Sequence, residues 1–139
     1  MTFILDTNVV SELARTAANP GVLRFLTATA EDSTFLTVIT LAELQYGIER
    51  MPFGSKRERL KSWLEADLLL RFAGRILAMD NLAAAAWGGV MARAEKLGRP
   101  MSEMDGWIAA VATVEKLTIV TRNTSDFSGF KGELLNPWS

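Results

Sequence analysis

The sequence predicts an α/β domain with a central, mostly parallel sheet of four to five strands flanked by helices. Short apolar runs alternate with segments of helix length, and the runs lack the polar alternation of a sheet that has one exposed face. No internal repeat, low-complexity stretch or linker interrupts this alternation. Alternating strands and helices favour a parallel sheet covered on both faces. At 139 residues the chain fits one such domain, spanning residues 1–139.

The elements follow from local signals. Strands are expected in five runs, the last being the weakest: Phe3–Leu5, Thr34–Ile39, Ile76–Met79, Leu117–Thr121 and Glu133–Leu135. Helices between them are expected at Gly21–Ala28, Lys56–Phe72 and Asn81–Leu97. The first follows Asn19-Pro20, which combines a capping residue with a proline suited to the first helical position. Ser55 and Glu58 form the pattern of a capping box for the second helix, and Asp80 is a cap for the third.

Composition excludes several kinds of chemistry. The chain has no Cys, which excludes disulfide scaffolds, thiolate zinc sites and thiol nucleophiles. It has no His, which removes the commonest general base and the commonest transition-metal ligand. Catalysis would therefore use carboxylates, hydroxyls, Lys, Tyr or a cofactor. Carboxylate oxygens favour Mg²⁺, Mn²⁺ or Ca²⁺ among the metals.

Charge and hydropathy predict a protein of the cytoplasm. The formal net charge of −1 does not by itself indicate nucleic-acid binding, although a local basic patch could still provide it. No run of about 18 uncharged apolar residues is present, so no membrane span is expected. The N-terminus lacks the basic region of a signal peptide and reaches an acidic residue at Asp6.

Four acidic residues follow predicted strands or begin predicted helices: Asp6, Glu43, Asp105 and Asp126. Each has an ordinary structural explanation when it is taken alone. Asp6 could cap the helix that follows it, and Asp126 could stabilise a turn. Thr40-x-x-Glu43 and Ser102-x-x-Asp105 both resemble capping boxes, in which an acid near the helix N-terminus is favoured by the helix dipole.

The four acids acquire a common explanation if the first, second and fourth strands are neighbours. They would then face one another across a crevice at the carboxyl ends of the strands, where ligands of α/β sheets bind. Carboxylates this close raise one another's pKa, and a divalent cation removes that cost. A metal-activated water could then hydrolyse a phosphodiester bond without a His or a covalent nucleophile. Thr7, Thr121 and Asn123 offer supporting polar groups.

At these residues the sequence resembles the PIN-domain nucleases, and among them the FitB/StbB-like branch of the VapC toxins. The resemblance runs from Met1 to Trp138. Each motif is short, but they occur in unbroken order through a domain of the family's size: Ile4–Glu12, Thr40–Leu44, Leu69–Leu77, Asp105–Ala110, Thr121–Phe127 and Leu135–Trp138.

The resemblance implies a three-layer PIN-like fold and a homodimer that cleaves RNA with Mg²⁺ or Mn²⁺ as cofactor. It also implies a cognate VapB-like antitoxin that binds DNA and inhibits the nuclease. Asp6, Glu43 and Asp105 match the family's three acidic positions. The fourth position can fall at Asn123 or at Asp126, and we place it at Asp126 with Asn123 assisting.

Other interpretations stay open at this point. A small Mg²⁺-dependent phosphatase could use Asp6 as nucleophile, although it lacks the usual second Asp nearby. A catalytically silent PIN-like binding module would be expected to have lost an acid of the core trio, and none is lost. A phospho-accepting receiver domain would need adjacent acids after the first strand, where Thr7 stands instead. The basic run Lys56-Arg57-x-Arg59-x-Lys61 could guide RNA, but a solvated helix face is the simpler explanation.

Overall fold

The predicted strands all form, and they pair into one entirely parallel sheet. The computed structural model describes all 139 residues. Its strands are β1 (Phe3–Leu5), β2 (Thr34–Thr37), β3 (Ile76–Leu77), β4 (Thr118–Val120) and β5 (Leu134–Leu135). They lie in the order β3-β2-β1-β4-β5, with Phe3 opposite both Thr34 and Thr118. The first, second and fourth strands are therefore neighbours, as the convergence of the acids requires.

Helices cover both faces of the sheet and give the three-layer architecture. They are α1 (Thr7–Glu12), α2 (Pro20–Ala28), α3 (Val38–Glu49), α4 (Ser55–Ser62), α5 (Leu69–Arg71), α6 (Asn81–Lys96) and α7 (Glu103–Glu115). In β1, Ile4 joins a core formed with α6 and α7, whereas Phe3 and Leu5 join a core formed largely with α1 to α3 and with buried residues between Leu64 and Phe72. This alternation places apolar side chains on both faces, which explains the absence of polar alternation in the sequence. None of the helices combines the length and apolar character needed to cross a membrane.

The second strand is shorter than the predicted Thr34–Ile39, because Thr37 ends the strand and begins the next helix. β2 stops at Thr37 rather than Ile39, and the Thr37 hydroxyl accepts the backbone N–H of Thr40 at 3.2 Å. Thr37 is thus the N-cap of α3, so the interpretation of Thr40-x-x-Glu43 as a capping box was wrong. The change of cap places Glu43 in the second turn of α3, where it is free to serve another role.

The capping box predicted at Ser55 and Glu58 is also wrong. Ser55 is already the first residue of α4, and no side chain caps that helix. The segment predicted as one helix over Lys56–Phe72 is divided: a π-helical stretch, Trp63–Leu68, separates α4 from α5. Both Leu64 and Leu68 are buried in this stretch. The caps predicted at Asn19 and Asp80 are confirmed, since each side chain accepts a backbone N–H of its helix.

Glu12, a buried acid at the end of α1, holds the loop between α1 and α2 and makes the stability of the fold depend on pH. The Glu12 carboxylate accepts the backbone N–H of Asn19 at 2.8 Å and Nη1 of Arg15 at 3.0 Å. The hydrogen bond from Asn19, followed by the interaction with Arg15, lowers the pKa of Glu12 despite its burial. A lowered pKa stabilises the fold at pH values above the ordinary value of 4.5, and this contribution is lost as pH falls through the lowered pKa.

We therefore expect Glu12→Gln to lower the free energy of unfolding by about 1–3 kcal/mol at pH 7. The difference from the wild type should shrink toward pH 3, where Glu12 becomes protonated. Urea unfolding at pH 7 and pH 3.5 measures this, with Glu115→Gln as control because Glu115 is exposed and lies outside every ion pair. An equal loss for Glu12→Gln at both pH values would contradict the proposed charge contribution.

Candidate functional site

Four carboxylates lie at the carboxyl edge of the sheet. Asp6 directly follows β1, and Glu43 belongs to α3, which follows β2. Asp105 is in the first turn of α7, and Asp126 is in the 3₁₀ turn Thr124–Phe127 after β4. The charges of Asp6, Asp126 and Glu43 each raise the pKa of Asp105. All four predicted acids are therefore within electrostatic reach of one point, which we call the acid cluster.

Asp6 is the most firmly held member of the acid cluster. Its Oδ1 accepts the backbone N–H of Thr7 at 2.8 Å, and its Oδ2 accepts the Thr121 hydroxyl at 2.7 Å and Nδ2 of Asn8 at 3.3 Å. Asp6 is only 6% exposed, and this burial raises its pKa, with a further rise from Asp126. The hydrogen bonds oppose that rise because they favour the charged form. Asp6 is thus both the N-cap of α1 and a carboxylate fixed at the sheet edge.

Thr7 positions the second acid. Its hydroxyl donates to Oε1 of Glu43 at 2.5 Å and lies 3.1 Å from the Thr40 hydroxyl. Thr40 is fully buried beneath them. These contacts join the start of α1 to α3, so Thr7 fixes one Glu43 oxygen relative to Asp6. The hydrogen bond from Thr7 to Glu43 is thus a contact by which Thr7 could support the acids, as the sequence predicted.

Asp105 is the acid of the cluster whose pKa is raised most strongly. Ser102 caps α7 by accepting the backbone N–H of Asp105 at 3.2 Å, as the sequence pattern indicated. Burial, and then the nearby charges of Asp6, Asp126 and Glu43, raise the pKa of Asp105 to about 6. The hydrogen bond with Ser102 only partly offsets this rise. Near neutral pH the cluster therefore concentrates negative charge at one edge of the sheet.

The residues around the fourth acid differ in what they contribute. Thr121 is buried, and its hydroxyl accepts the backbone N–H of Asn123 at 3.1 Å while donating to Asp6. Asn123 thus acts through its backbone, and its side chain makes no hydrogen bond to an acid of the cluster. Asp126 is exposed at the mouth of the site. The charge of Asp126 raises the pKa of both Asp6 and Asp105, so its carboxylate lies within electrostatic reach of the other acids.

Sequence reasoning missed Asn8. Its Nδ2 donates to Oδ2 of Asp6 and to the Thr121 hydroxyl, both at 3.3 Å, and its Oδ1 accepts the backbone N–H of Arg122 at 3.2 Å. Asn8 therefore ties the end of β1 to the end of β4. Its position two residues after Asp6, in a polar run that follows an apolar strand, was the available signal.

The donor set of the acid cluster suits a hard divalent cation. None of the four carboxylates forms an ion pair with Lys or Arg, so no side chain neutralises their charge. No three of them lie close enough together to bind one ion directly. Mg²⁺ commonly takes one or two carboxylates and keeps several waters, which fits this more open arrangement. Asp6, Glu43, Asp105 and Asp126 would hold such an ion, in part through water.

Comparisons with known proteins agree on one family. The sequence model of the PIN-domain family matches residues 3–132 of this chain. The VapC ribonuclease Y4jK of Sinorhizobium fredii is 36% identical over 135 residues, which are 97% of this chain and 96% of the relative. Toxin FitB of Neisseria gonorrhoeae is 37% identical over 97% of each chain. The solved structure of FitAB bound to an IR36 DNA fragment superposes with a TM-score of 0.93 at 34% identity, covering 99% of this chain and 96% of that one.

Proposed function

The chain belongs to the PIN-domain family, and on that premise we propose that it is the toxin of a type II toxin–antitoxin pair, an endoribonuclease dependent on Mg²⁺ or Mn²⁺. The observation that carries the proposal is the acid cluster, four carboxylates at one sheet edge with no cationic side chain to neutralise them. The names of the relatives, which are ribonucleases and toxins, support the same conclusion. We place the activity in a single domain over residues 1–139.

The chain's own residues would hold and orient the reacting groups. Thr121 and Asn8 fix Asp6, and Thr7 fixes Glu43, so two of the carboxylates are oriented before RNA binds. Such preorganisation avoids reorganisation during the reaction. A bound Mg²⁺ or Mn²⁺ ion would supply charge neutralisation at the phosphate and a lowered pKa for water at the site. The chain has no His, so carboxylates are the acid–base groups available beside the phosphate.

The same premise supports a protein partner. FitAB and the VapBC of Salmonella typhimurium have been solved bound to DNA, and a chain of each superposes on this chain. We propose that a VapB-like, DNA-binding antitoxin binds this chain and blocks the acid cluster, and that the toxin itself forms a homodimer. Copurification of the protein with a co-expressed candidate antitoxin, followed by measurement of RNA cleavage and DNA binding by the complex, tests the partnership. A complex that cleaves RNA as fast as the free protein would contradict it.

The phosphatase alternative fits the geometry less well. That chemistry usually uses a second Asp close to the nucleophile, but Thr7 and Asn8 follow Asp6, and Asn8 donates its Nδ2 to Asp6 and supplies no acid. The silent binding module has no structural support either, because all four acids are present and grouped at one edge. The nuclease is therefore the function that the site supports best.

Cleavage of total cellular RNA by the purified protein, freed of antitoxin, tests the proposal. We expect discrete cuts with Mg²⁺ or Mn²⁺, and none with EDTA. Cleavage that continues at full rate in EDTA would contradict the metal-dependent mechanism. Absence of cleavage by a folded, metal-loaded protein on RNA from its own source would contradict the nuclease assignment.

A further inference from the structure

A groove leads away from the acid cluster between α1, α3 and α4. Its volume is about 590 Å³, and Thr7 and Glu43 form the end that adjoins the cluster. Beyond that end the wall combines apolar side chains, including Leu60 and Trp63, with basic ones. We call it the α3–α4 groove. Because the α3–α4 groove opens directly onto Glu43, a polymer bound in the groove would place one of its backbone groups next to the acid cluster.

The structure sorts the basic run of α4 into two groups. Lys56 and Arg59 line the α3–α4 groove, and neither forms an ion pair. Arg57 instead donates to the backbone carbonyl of Ile48 at 3.0 Å and to Glu49 at 3.2 Å. Lys61 is exposed but does not line the groove. The solvated-face interpretation therefore holds for Lys61, whereas two cations of the same helix are directed to the groove.

The charge of the groove changes along its length. Glu43 is the only acid in its lining, and it lies at the cluster end. Arg15 also lines the groove, but it is already paired with Glu12 at 3.0 Å. Unpaired positive charge on one wall, next to a cation-binding acid cluster, complements a chain of phosphates. An acidic peptide would match the wall as well, but it carries no phosphodiester group to present to the acid cluster.

A glycine keeps the floor of the groove open. Gly47 lies inside α3 and lines the groove, and a Cβ built there meets nothing within 4 Å. Glycine in a helix interior costs about 1 kcal/mol relative to alanine, and no packing within this chain requires it. The absence of a side chain leaves room for a ligand to approach the helix backbone closely. Trp63 offers a ring on which a base could stack.

We propose that the α3–α4 groove binds the single-stranded RNA next to the cleaved bond, with Lys56 and Arg59 contacting its phosphates and Gly47 leaving space for it. The inference rests on the proposed ribonuclease activity and adds the residues that position its substrate. Lys56 and Arg59 act on binding and not on the chemical step.

Binding of a fluorescein-labelled, mixed-sequence 20-nucleotide RNA by the full-length protein in EDTA tests the phosphate contacts. For Lys56→Ala/Arg59→Ala we expect Kd to rise about tenfold, and the slope of log K against log salt concentration to fall by about 1.4, since each phosphate contact on single strands contributes about 0.7. Lys61→Ala is the matched control, and it should change the slope by less than about half of the amount that one phosphate contact contributes. In cleavage assays with Mn²⁺, KM should rise in the double variant while kcat changes little.

Gly47→Leu tests the space that the groove provides. The added side chain should fill the groove, raising Kd and KM at least fivefold without lowering the melting temperature. Gly88→Leu is the control, because Gly88 is also an exposed glycine inside a helix with nothing within 4 Å of its Cβ position, and it lies outside the groove. Equal effects of the two substitutions on RNA binding would overturn the role of Gly47.

The outcomes separate this inference from the function on which it rests. If the wild type cleaves RNA and Lys56→Ala/Arg59→Ala keeps its Kd, salt slope and KM, the groove assignment is wrong while the ribonuclease stands. If the double variant keeps RNA affinity but loses affinity for the antitoxin, the groove belongs to a protein partner and the inference is again wrong. If the wild type does not cleave at all, the proposed function itself fails.

Discussion

Asp6→Asn is expected to reduce metal-dependent RNA cleavage on the order of 100- to 1000-fold, comparable to the loss when one preorganised hydrogen-bond donor of an active site is removed. The amide keeps the shape of the side chain, and its oxygen can still accept the backbone N–H of Thr7. It removes the negative charge from the most buried acid of the cluster. Because burial and Asp126 raise the pKa of Asp6, the charged form is disfavoured by the fold.

Two effects oppose each other in stability: the amide removes a buried charge, but its nitrogen cannot accept the hydrogen bonds that Thr121 and Asn8 donate to Oδ2. We therefore expect the melting temperature to change little when no divalent cation is present. Asp67→Asn is the matched control, since Asp67 is an exposed acid on the π-helical stretch away from the cluster. It should cleave RNA at the rate of the wild type. Wild-type cleavage by Asp6→Asn would show that the acid cluster is not the catalytic site.

Phe127→Ala is expected to cause the largest loss of stability, about 3–5 kcal/mol. Phe127 is fully buried, with 0% of its surface exposed, in the core shared by α6 and α7. It ends the 3₁₀ turn that carries Asp126, so it anchors that acid to the core. Loss of the ring removes both the buried apolar surface and the anchor.

Phe53→Ala provides the comparison, because Phe53 is 89% exposed and should cost less than about 0.5 kcal/mol. Thermal unfolding followed by circular dichroism measures both changes. At the size of this domain, Phe127→Ala should lower the melting temperature by roughly 10 °C. Melting temperatures of the two variants that agree within about 2 °C would contradict the anchoring role of Phe127.

Much of the fold could be predicted because its signals are local. The apolar runs at Phe3–Leu5 and Thr34–Thr37 are covered on both faces and carry no polar alternation, so the parallel sheet followed from sequence. Asn19 and Asp80 cap their helices as predicted, since a cap depends only on residues within one turn. The places where acids gather followed from the rule that ligands bind at the carboxyl ends of parallel strands.

The errors have a different physical origin. Thr37 and Thr40 are both plausible caps, and only the tertiary position of α3 decides between them. The π-helical stretch Trp63–Leu68 interrupts the helix, and a pattern based on a regular helix does not describe it. Which cations of α4 face the groove likewise depends on how α4 packs against α3. Tertiary contacts therefore decided what local sequence left open.

Titration with Mn²⁺, followed in parallel by metal binding and by RNA cleavage, tests the central claim most directly. We expect the wild type to bind Mn²⁺ and to cleave RNA with the same midpoint, and we expect Asp105→Asn to weaken both because it removes one carboxylate of the cluster. Cleavage that is independent of Mn²⁺, or Mn²⁺ binding that is unchanged in Asp6→Asn and Asp105→Asn, would contradict a metal-dependent nuclease centred on these acids.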